Sequence, residues 1–236
     1  MIKIFFGLIL CLFIQLFPLE GSYANSETTV RQFLENRENQ WPEIYLPKFT
    51  FSDTSTDLIY PKWFEGNWLV TSQDLINDSE DPVIYKVNFF NNDSNLVVGN
   101  RAKNSESIGK AIFGDDLIKV INDPQSVNNQ ITYLKGDLYI DSRIIGRNQI
   151  QDDNVFFADE FVIQTAHKPG VSRINQVETI SKFKKCDYEK IKSINSQRPD
   201  ICGVQYVASY GSKVGDLSVH AIKTNKYKLT FKFIET

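Results

Sequence analysis

The side chains that could carry chemistry are few, and the most suggestive are two adjacent acids inside an apolar segment. Asp159 and Glu160 lie within residues 155–163, which are otherwise rich in large apolar side chains. Because adjacent residues of a strand face opposite ways, one of the two acids is expected to point inward. A buried acid has a raised pKa or needs a cationic partner, for which Arg143 is the candidate. The alternative is a strand that leaves the core midway.

Neither of the two histidines belongs to a recognisable metal or catalytic pattern. His167 precedes Lys168-Pro169-Gly170, a turn sequence that places it in a solvated loop. His220 alternates with apolar residues and could face the interior, where a lone histidine is usually a hydrogen-bonded structural residue. Phosphate-binding loops, dinucleotide fingerprints and the Gly-x-Ser-x-Gly elbow are absent from the sequence. This inventory favours a non-enzymatic function and predicts neither a cofactor nor a bound metal.

Most of the chain consists of short alternating segments that predict β-strands separated by polar turns. The clearest segment, 226–234, places four aromatic or aliphatic side chains on one face and lysines on the other. Helical spacing occurs at 27–35 and at 105–113, where Ser105 can cap the start and Gly114 can end the helix. About ten strands with one-sided hydrophobicity predict a mainly β sandwich or closed barrel. The expected strands are 68–71, 83–90, 96–98, 117–122, 129–135, 137–146, 155–165, 173–183, 201–210, 217–223 and 226–234.

Residues 1–24 have the layout of a secretory signal peptide. Lys3 supplies the positive start, residues 4–17 are almost wholly apolar, and Ser22-Tyr23-Ala24 offers a cleavage site. The apolar run is shorter than the ~20 residues that a membrane-spanning helix needs, and a retained N-terminal anchor is the alternative. The chain is therefore divided into a signal peptide (1–24), a helix with an extended lead-in (25–58) and one barrel domain (59–236).

The predicted mature chain retains two cysteines, Cys186 and Cys202. In an oxidising compartment an isolated pair predicts one disulfide, and two free thiols are the alternative. Their spacing matches no zinc-binding pattern. The formal net charge is −3, without a block of basic residues, so no nucleic-acid partner is expected.

Aromatic residues precede a Gly-x-Trp step at the start of the first long strand, in the string Tyr-Pro-Lys-Trp-Phe-Glu-Gly-Asn-Trp at 60–68. This step resembles the opening of lipocalin-like (calycin-type) barrels, in which the glycine permits a tight turn and the tryptophan plugs one end. The resemblance implies an antiparallel barrel of about 8–10 strands with a short N-terminal helix. Lipocalins usually place a basic residue against that tryptophan in a cation–π contact, and the candidates here are Arg143, Arg147 and Arg173.

A longer string, Pro-x-Trp-Phe-x-Gly-x-Trp-x-Val-Thr-Ser at 61–72, resembles a motif of an uncharacterised exported family of cyanobacteria and chloroplasts. Three shorter pieces are also similar to that family: residues 100–102, residues 129–131 leading to Gly136-Asp137, and residues 176–179. The resemblance implies a periplasmic or thylakoid-lumenal location. It brings no activity with it.

Three functions are compatible with these observations. The leading hypothesis is a non-enzymatic lipocalin-like barrel that binds a small apolar ligand such as a lipid or pigment, with Trp63, Phe64, Trp68, Arg143 and Glu160 as candidate contacts. An assembly or interaction factor for a thylakoid or periplasmic membrane complex is the alternative, and an isomerase-type enzyme is the third. Because one fold serves many functions, the deciding observation is whether the interior is hollow or filled.

Overall fold

The computed structural model describes residues 21–47, 56–77, 79–186, 198–211 and 220–235, with side chains from residue 27 onward. The predicted signal peptide lies outside these residues except for positions 21–24, which open a helix. No helix in the described ranges has both the length and the apolar character to cross a membrane.

The described residues form two α-helices and eleven strands, joined by short 3-10 helical turns at Lys62–Phe64 and Gly114–Asp116. The helices are α1 (Gly21–Asn39) and α2 (Arg101–Phe113). The strands are β1 (Ile59–Tyr60), β2 (Gly66–Asp74), β3 (Val83–Asn91), β4 (Val97–Gly99), β5 (Leu117–Asp123), β6 (Ser126–Leu134), β7 (Leu138–Gln151), β8 (Val155–Lys168), β9 (Val171–Lys185), β10 (Ile201–Gly211) and β11 (Lys223–Ile234).

All eleven strands belong to one antiparallel sheet, which curls into a half-barrel. Their order across the sheet is β1-β4-β3-β2-β11-β10-β9-β8-β7-β6-β5. The prediction of a mainly β, antiparallel protein is therefore confirmed. The strand number exceeds the expected 8–10, and β1, which was not among the expected strands, pairs with β4.

Several local predictions are confirmed and three are wrong. Residues 226–234 form most of β11, and Gly114 ends α2 with a positive φ of 56°. The strand expected at 217–223 is wrong in its described part, because His220 makes only an isolated bridge to Tyr45 and β11 begins at Lys223. Ser105 does not cap α2, which begins four residues earlier at Arg101. His167 lies in β8 rather than in a loop, because the turn comes after it.

The early start of α2 has a clear cause in the pairing of two asparagines. The backbone N–H of Asn88 on β3 donates to Oδ1 of Asn104 at 2.8 Å, and Nδ2 of Asn104 donates to the carbonyl of Asn88 at 3.0 Å. This reciprocal pair fixes the first turn of α2 against the strand. An amide side chain carries both a donor and an acceptor, so Asn104 satisfies both backbone groups of Asn88 at once.

The sheet has a buried core on each face. The inner face, defined here as the one that carries Trp68, holds an aromatic core with Phe64 and Phe156 at its centre. The outer core forms where α1 packs on the sheet and brings Leu34 against Phe157. Since successive residues of a strand alternate between faces, a strand buried on both sides reads as a continuous apolar run. This explains why β8 is buried on both faces at every position from 156 to 161 except Glu160.

Side chains join the first edge of the sheet to β6 and β7. The Gln149 side chain accepts from the backbone N–H of Ile59 at 3.1 Å and donates to its carbonyl at 3.2 Å. The carbonyl of Thr56 accepts from Asn128 at 3.2 Å and from Arg147 at 2.6 Å. We call this set of contacts the seam. It satisfies backbone groups of residues 56–59 that would otherwise present a bare strand edge.

A disulfide joins Cys186, just after β9, to Cys202 on β10, with the two Cα atoms 5.1 Å apart. The bond predicted from the isolated cysteine pair is therefore present. The polar excursion between the cysteines lies largely outside the described residues, which resume at Arg198. The disulfide links the end of one strand to the start of the next, in a part of the sheet where the two strands pair in register.

Candidate functional site

The Gly-x-Trp step closes one end of the inner core. Gly66 has a φ of +122°, which favours glycine, and a Cβ there would lie 2.7 Å from the Phe233 ring. Trp68 is fully buried and donates from Nε1 to the carbonyl of Phe64 at 2.6 Å. The Phe233 ring packs edge-on against Trp68, and the Arg198 guanidinium lies 4.9 Å from the centre of the Phe233 ring. Arg198 therefore lies near this end of the core, against the phenylalanine that packs on the tryptophan.

A pocket of about 190 Å³ lies in the middle of the inner core. Helix α2 contributes one wall through Asn104 and Ile108, and the sheet contributes the others. The lining is largely aromatic and aliphatic, with a few polar groups from β8, β9 and β10. The lining residues are Leu58, Tyr60, Phe64, Tyr85, Val87, Phe89, Asn104, Ile108, Phe156, Ala158, Glu160, Thr179, Ser181, Phe183, Gln205, Leu229 and Phe231.

Tyr60 on β1 joins the aromatic wall through contacts with three other rings. Its ring centre lies 4.6 Å from that of Phe89, 4.9 Å from that of Phe156 and 5.1 Å from that of Phe64. Edge-to-face and tilted contacts at these separations are favourable for aromatic rings. The wall is therefore held in place by ring packing on several strands, and its shape does not depend on one loop.

Charged groups at the seam end of the pocket are paired with one another. Glu160 accepts through Oε1 from Nε of Arg147 at 2.9 Å and from its Nη2 at 2.7 Å. Arg101, the first residue of α2, donates to Glu160 at 3.4 Å and to Asp57 at 2.6 Å. Two cations and two anions thus balance, and Arg147 also donates to Asn128 at 2.8 Å. The pocket therefore carries no unbalanced charge at this end.

The arginine that pairs with Glu160 is Arg147, whereas the sequence suggested Arg143. The register between β7 and β8 shifts between Ile144 and Gly146, which marks a β-bulge. One extra residue reverses the alternation of side chains beyond it. Arg143 therefore shares the outer face with its partner Ile163, while Arg147 faces inward opposite Glu160. Arg143 does not line the pocket.

Two partly buried tyrosines, Tyr60 and Tyr85, line the pocket. Burial raises the pKa of Tyr60 well above its ordinary value, and the negative charge of Glu160 raises it further. Burial alone raises the pKa of Tyr85 to about 12. Both hydroxyls therefore stay protonated throughout the physiological range and are available as hydrogen-bond donors.

The outer core contains a second polar cluster, which anchors α1 to the sheet. Arg37 donates from Nε to Glu178 at 2.7 Å and from Nη2 to the other oxygen of the same carboxylate at 2.5 Å. Tyr210 donates to Glu178 at 2.5 Å, and the carbonyl of Tyr45 accepts from Arg37 at 2.7 Å. Burial by itself would lower the pKa of Arg37, but the bonds and charge of Glu178 raise it overall. The cluster is a bidentate ion pair, in which the guanidinium also bonds to the Tyr45 carbonyl and the carboxylate also accepts from the Tyr210 hydroxyl.

Asp159 lies in the same outer core without such support. Its side chain is fully buried, and neither carboxylate oxygen has a hydrogen-bond partner. Burial raises the pKa of Asp159 well above its ordinary value, and the nearby charge of Glu178 adds to the shift, while Arg37 opposes it. The two adjacent acids of β8 thus have different surroundings. Glu160 faces inward to the arginines, whereas Asp159 lies on the outer side under α1.

The structure brings together some of the residues that the sequence indicated and separates others. Phe64 and Glu160 line the pocket. Trp63 stacks on Phe64 with ring centres 4.6 Å apart, one layer behind the lining, and Trp68 belongs to the closed end of the core. His220 is exposed, with its ring centre 4.1 Å from that of Tyr45 rather than inside the sheet.

Little in the amino-acid sequence indicated the other polar residues of the site. Tyr85 could be placed on the apolar face of its strand, and Arg147 was one of three basic candidates for the barrel end. Arg101 and Tyr60 could not be placed in the pocket wall, because their partners are distant in sequence. In the residues that the structure describes, no group of three histidine, cysteine or acidic side chains could hold a metal ion.

A separate groove of about 380 Å³ lies on the outer face, near the disulfide. Its rim includes Lys182, Lys184 and Lys228, and its floor includes Val155 and Val204. Lys182 donates to Glu38 of α1 at 2.7 Å, so one rim cation is already paired. The groove is basic at its rim and apolar at its base, in a chain whose formal net charge is −3.

These observations define a class: an antiparallel, curled half-barrel with an aromatic interior pocket and a helix packed on its outer face. The model of one family, a domain of unknown function (DUF6816), matches residues 73–232. The chain belongs to this family. The Gly-x-Trp step precedes the matched range. Searches of curated proteins and of solved structures returned no match.

Proposed function

We propose that this protein is a non-enzymatic, lipocalin-like barrel that binds one small, mostly apolar molecule in its interior pocket. The observation that supports this most directly is the pocket of about 190 Å³ at the centre of the aromatic core. Because the pocket is only partly enclosed, its aromatic and aliphatic walls meet water instead of the close-packed contacts of a protein interior. A ligand would restore those contacts.

The size of the pocket narrows the class of ligand. An apolar cavity of about 150 Å³ is enough for a benzene molecule, whereas drug-sized ligands occupy about 300–1,000 Å³. A single ring with a small substituent, or a short chain, therefore fits better than a large pigment or a long acyl lipid. Extraction of the protein purified from its native host, followed by mass spectrometry, would identify such a molecule.

Filling the pocket is expected to abolish binding. Ala158 on β8 lines the pocket and is almost fully buried, so Ala158→Leu adds about three carbon atoms to the cavity. Ala166→Leu is the matched control, because it is on the same strand and the same face but does not line the pocket. Calorimetric titration with a single-ring hydrocarbon should show binding to the wild type and the control only. Equal binding to Ala158→Leu would contradict the proposal.

The pairing of Glu160 favours binding over catalysis. An isomerase-type enzyme would use this carboxylate as its acid or base, since no other acid lines the pocket in the described part of the chain. Its Oε1 atom already accepts three arginine hydrogen bonds. A general base must be within reach of the proton that it abstracts, and Glu160 is instead held by its own neighbours.

The alternative function, an assembly or interaction factor for a membrane complex, would use the basic outer groove. Lysine-directed cross-linking in extracts of the native host separates the two proposals. Reproducible links from Lys184 or Lys228 to one membrane-complex protein, together with an empty pocket after extraction, would favour the alternative. Recovery of a small molecule without such links would favour the binding protein.

We also propose that the protein is exported to the periplasm or thylakoid lumen. The layout of residues 1–24 supports this, and a disulfide is compatible with an oxidising compartment. N-terminal sequencing of the protein from its native host is expected to begin at Asn25. A chain that begins at Met1 and fractionates with the cytosol would contradict export.

A further inference from the structure

The groove on the outer face lies along β10, between lysines of β9 and β11. Val204 on β10 pairs in register with Lys182 on β9 and with Lys228 on β11. Because neighbouring strands lie about 4.8 Å apart, the Cα atoms of the two lysines are about 10 Å apart, with Val204 midway between them. Lys184, two residues further along β9, pairs with Cys202 and extends the same wall. The register therefore produces basic walls on both sides of an apolar strand.

The groove combines exposed apolar surface with a positive charge. Val155 and Val204 in its floor are half-buried, and Leu75, which follows β2, is 43% exposed. Among the described residues that line the groove, Glu38 of α1 is the one acid. Three lysines and one glutamate give this lining a formal charge of +2, although the formal net charge of the chain is −3.

Glu38 neutralises the charge at one wall only. It accepts from the amine of Lys182 at 2.7 Å and from the hydroxyl of Tyr206 at 3.0 Å. The Lys182 amine also lies 4.9 Å from the centre of the Phe157 ring on β8, so this side chain leans away from β11. Lys228 is exposed on the opposite wall and forms no ion pair with any described residue. Positive charge therefore remains beside the floor.

An apolar floor beside exposed amines fits an amphiphile with one anionic group. An alkyl chain on the floor would remove apolar surface from water on both partners. Lysine amines on flexible stems can follow an anionic group at the water boundary. The groove volume of about 380 Å³ is near the lower end of the range for small-molecule sites, about 300–1,000 Å³, and this favours one chain over a two-chain lipid.

We infer that the outer groove is a second binding site, which takes a single-chain anionic amphiphile such as a fatty-acid carboxylate. The alkyl chain lies along Val204, and the carboxylate is bound by Lys184 and Lys228. This site goes beyond the proposed function, because it is on the opposite face of the sheet from the interior pocket and does not require that pocket to be occupied.

Three probes with the same ten-carbon chain test the inference on the wild-type protein: decanoate, which is anionic; 1-decanol, which is uncharged; and decyltrimethylammonium, which is cationic. Calorimetric titration at low salt, below micelle-forming concentrations, is expected to give a dissociation constant for decanoate about fivefold lower than for 1-decanol, as for a good exposed charge pair. The cation should bind most weakly. Added sodium chloride should reduce the preference for decanoate, since salt screens exposed charges.

Two variants with opposite effects assign the preference to the groove. Lys228→Gln is expected to weaken decanoate binding about fivefold and to leave 1-decanol binding unchanged, which also shows that the variant is folded. Glu38→Gln is expected to strengthen decanoate binding, because it removes the acid of the lining. Lys232→Gln is the matched control, since Lys232 is exposed on the same strand and the same face but does not line the groove.

The Ala158→Leu variant, in which the interior pocket is filled, separates this inference from the proposed function. Decanoate binding that survives Ala158→Leu and weakens in Lys228→Gln supports the groove, whatever the interior pocket binds. Loss of decanoate binding in Ala158→Leu with unchanged binding in Lys228→Gln would overturn the inference and leave the proposed function standing. Equal wild-type affinities for decanoate and 1-decanol at low salt would also overturn it. So would a dimer, seen by analytical ultracentrifugation, that Lys228→Gln dissociates, because a second copy would then occupy the groove.

Discussion

Replacing Arg37 with alanine is expected to lower the free energy of unfolding by about 3–5 kcal/mol, the usual effect of removing one partner of a buried ion pair. Arg37 is almost fully buried, and its guanidinium holds both oxygens of Glu178. Without it the Glu178 carboxylate would remain in the outer core with Tyr210 as its hydrogen-bond donor. Urea unfolding followed by circular dichroism would measure the loss.

A second arginine on the same helix provides the control. Arg31 is 3.9 Å from Asp152, and both side chains are more than two-fifths exposed. An exposed pair of this kind contributes little to stability, so Arg31→Ala should leave the unfolding midpoint nearly unchanged. If the two variants had the same effect, the role of α1 would lie in its apolar contacts and not in the buried pair.

Replacing Asp159 with asparagine is expected to stabilise the protein at neutral pH, by an amount that grows with pH. Because the pKa of Asp159 is raised in the folded state, folding takes up a proton. Its favourable contribution is complete below the pKa of an unfolded aspartate, about 3.9, and is lost as the pH rises toward the folded value. In that window the wild type should lose about 1.4 kcal/mol per pH unit relative to Asp159→Asn.

The control for this titration is Asp152, which precedes the same strand. Hydrogen bonds from the backbone N–H groups of Asn154 and Val155 lower the pKa of Asp152. Its contribution is therefore present above the unfolded pKa and is lost as the pH falls. Asp152→Asn should lower stability by a constant amount at neutral pH, and this difference should disappear in the acidic range, which is the opposite sign of pH dependence. A flat difference between Asp159→Asn and the wild type from pH 4 to pH 8 would show that Asp159 ionises normally.

The strands could be predicted from the sequence because their signal is local. Alternation at 226–234 requires only one buried and one wet face, and the structure places Leu229 and Phe231 in the core as expected. The continuous run at 155–163 was harder to interpret. Helix α1 covers the outer face of this strand, so the strand carries apolar side chains on both faces. It is therefore buried on both sides and does not leave the core midway.

The partners of the charged residues could not be predicted, because they depend on contacts between distant segments. Arg37 and Glu178 are separated by 141 positions. The pairing of Glu160 with Arg147 instead of Arg143 depends on one bulge between Ile144 and Gly146. A glycine inside a strand is a hint of a bulge, but it does not say which residues pair beyond it. Tyr60 lies in a two-residue strand, too short for any pattern, yet its ring is part of the pocket wall.

The seam determines where the native structure is expected to open locally. Neighbouring strands elsewhere are joined by continuous main-chain ladders, whereas residues 56–59 are attached to β6 and β7 through side chains. Parting these contacts ruptures a handful of bonds, each worth about 1 kcal/mol net, and leaves every ladder intact. Local opening of the native state is therefore expected to concentrate at the seam, beside Tyr60. A ligand could enter or leave there while the rest of the protein stays folded.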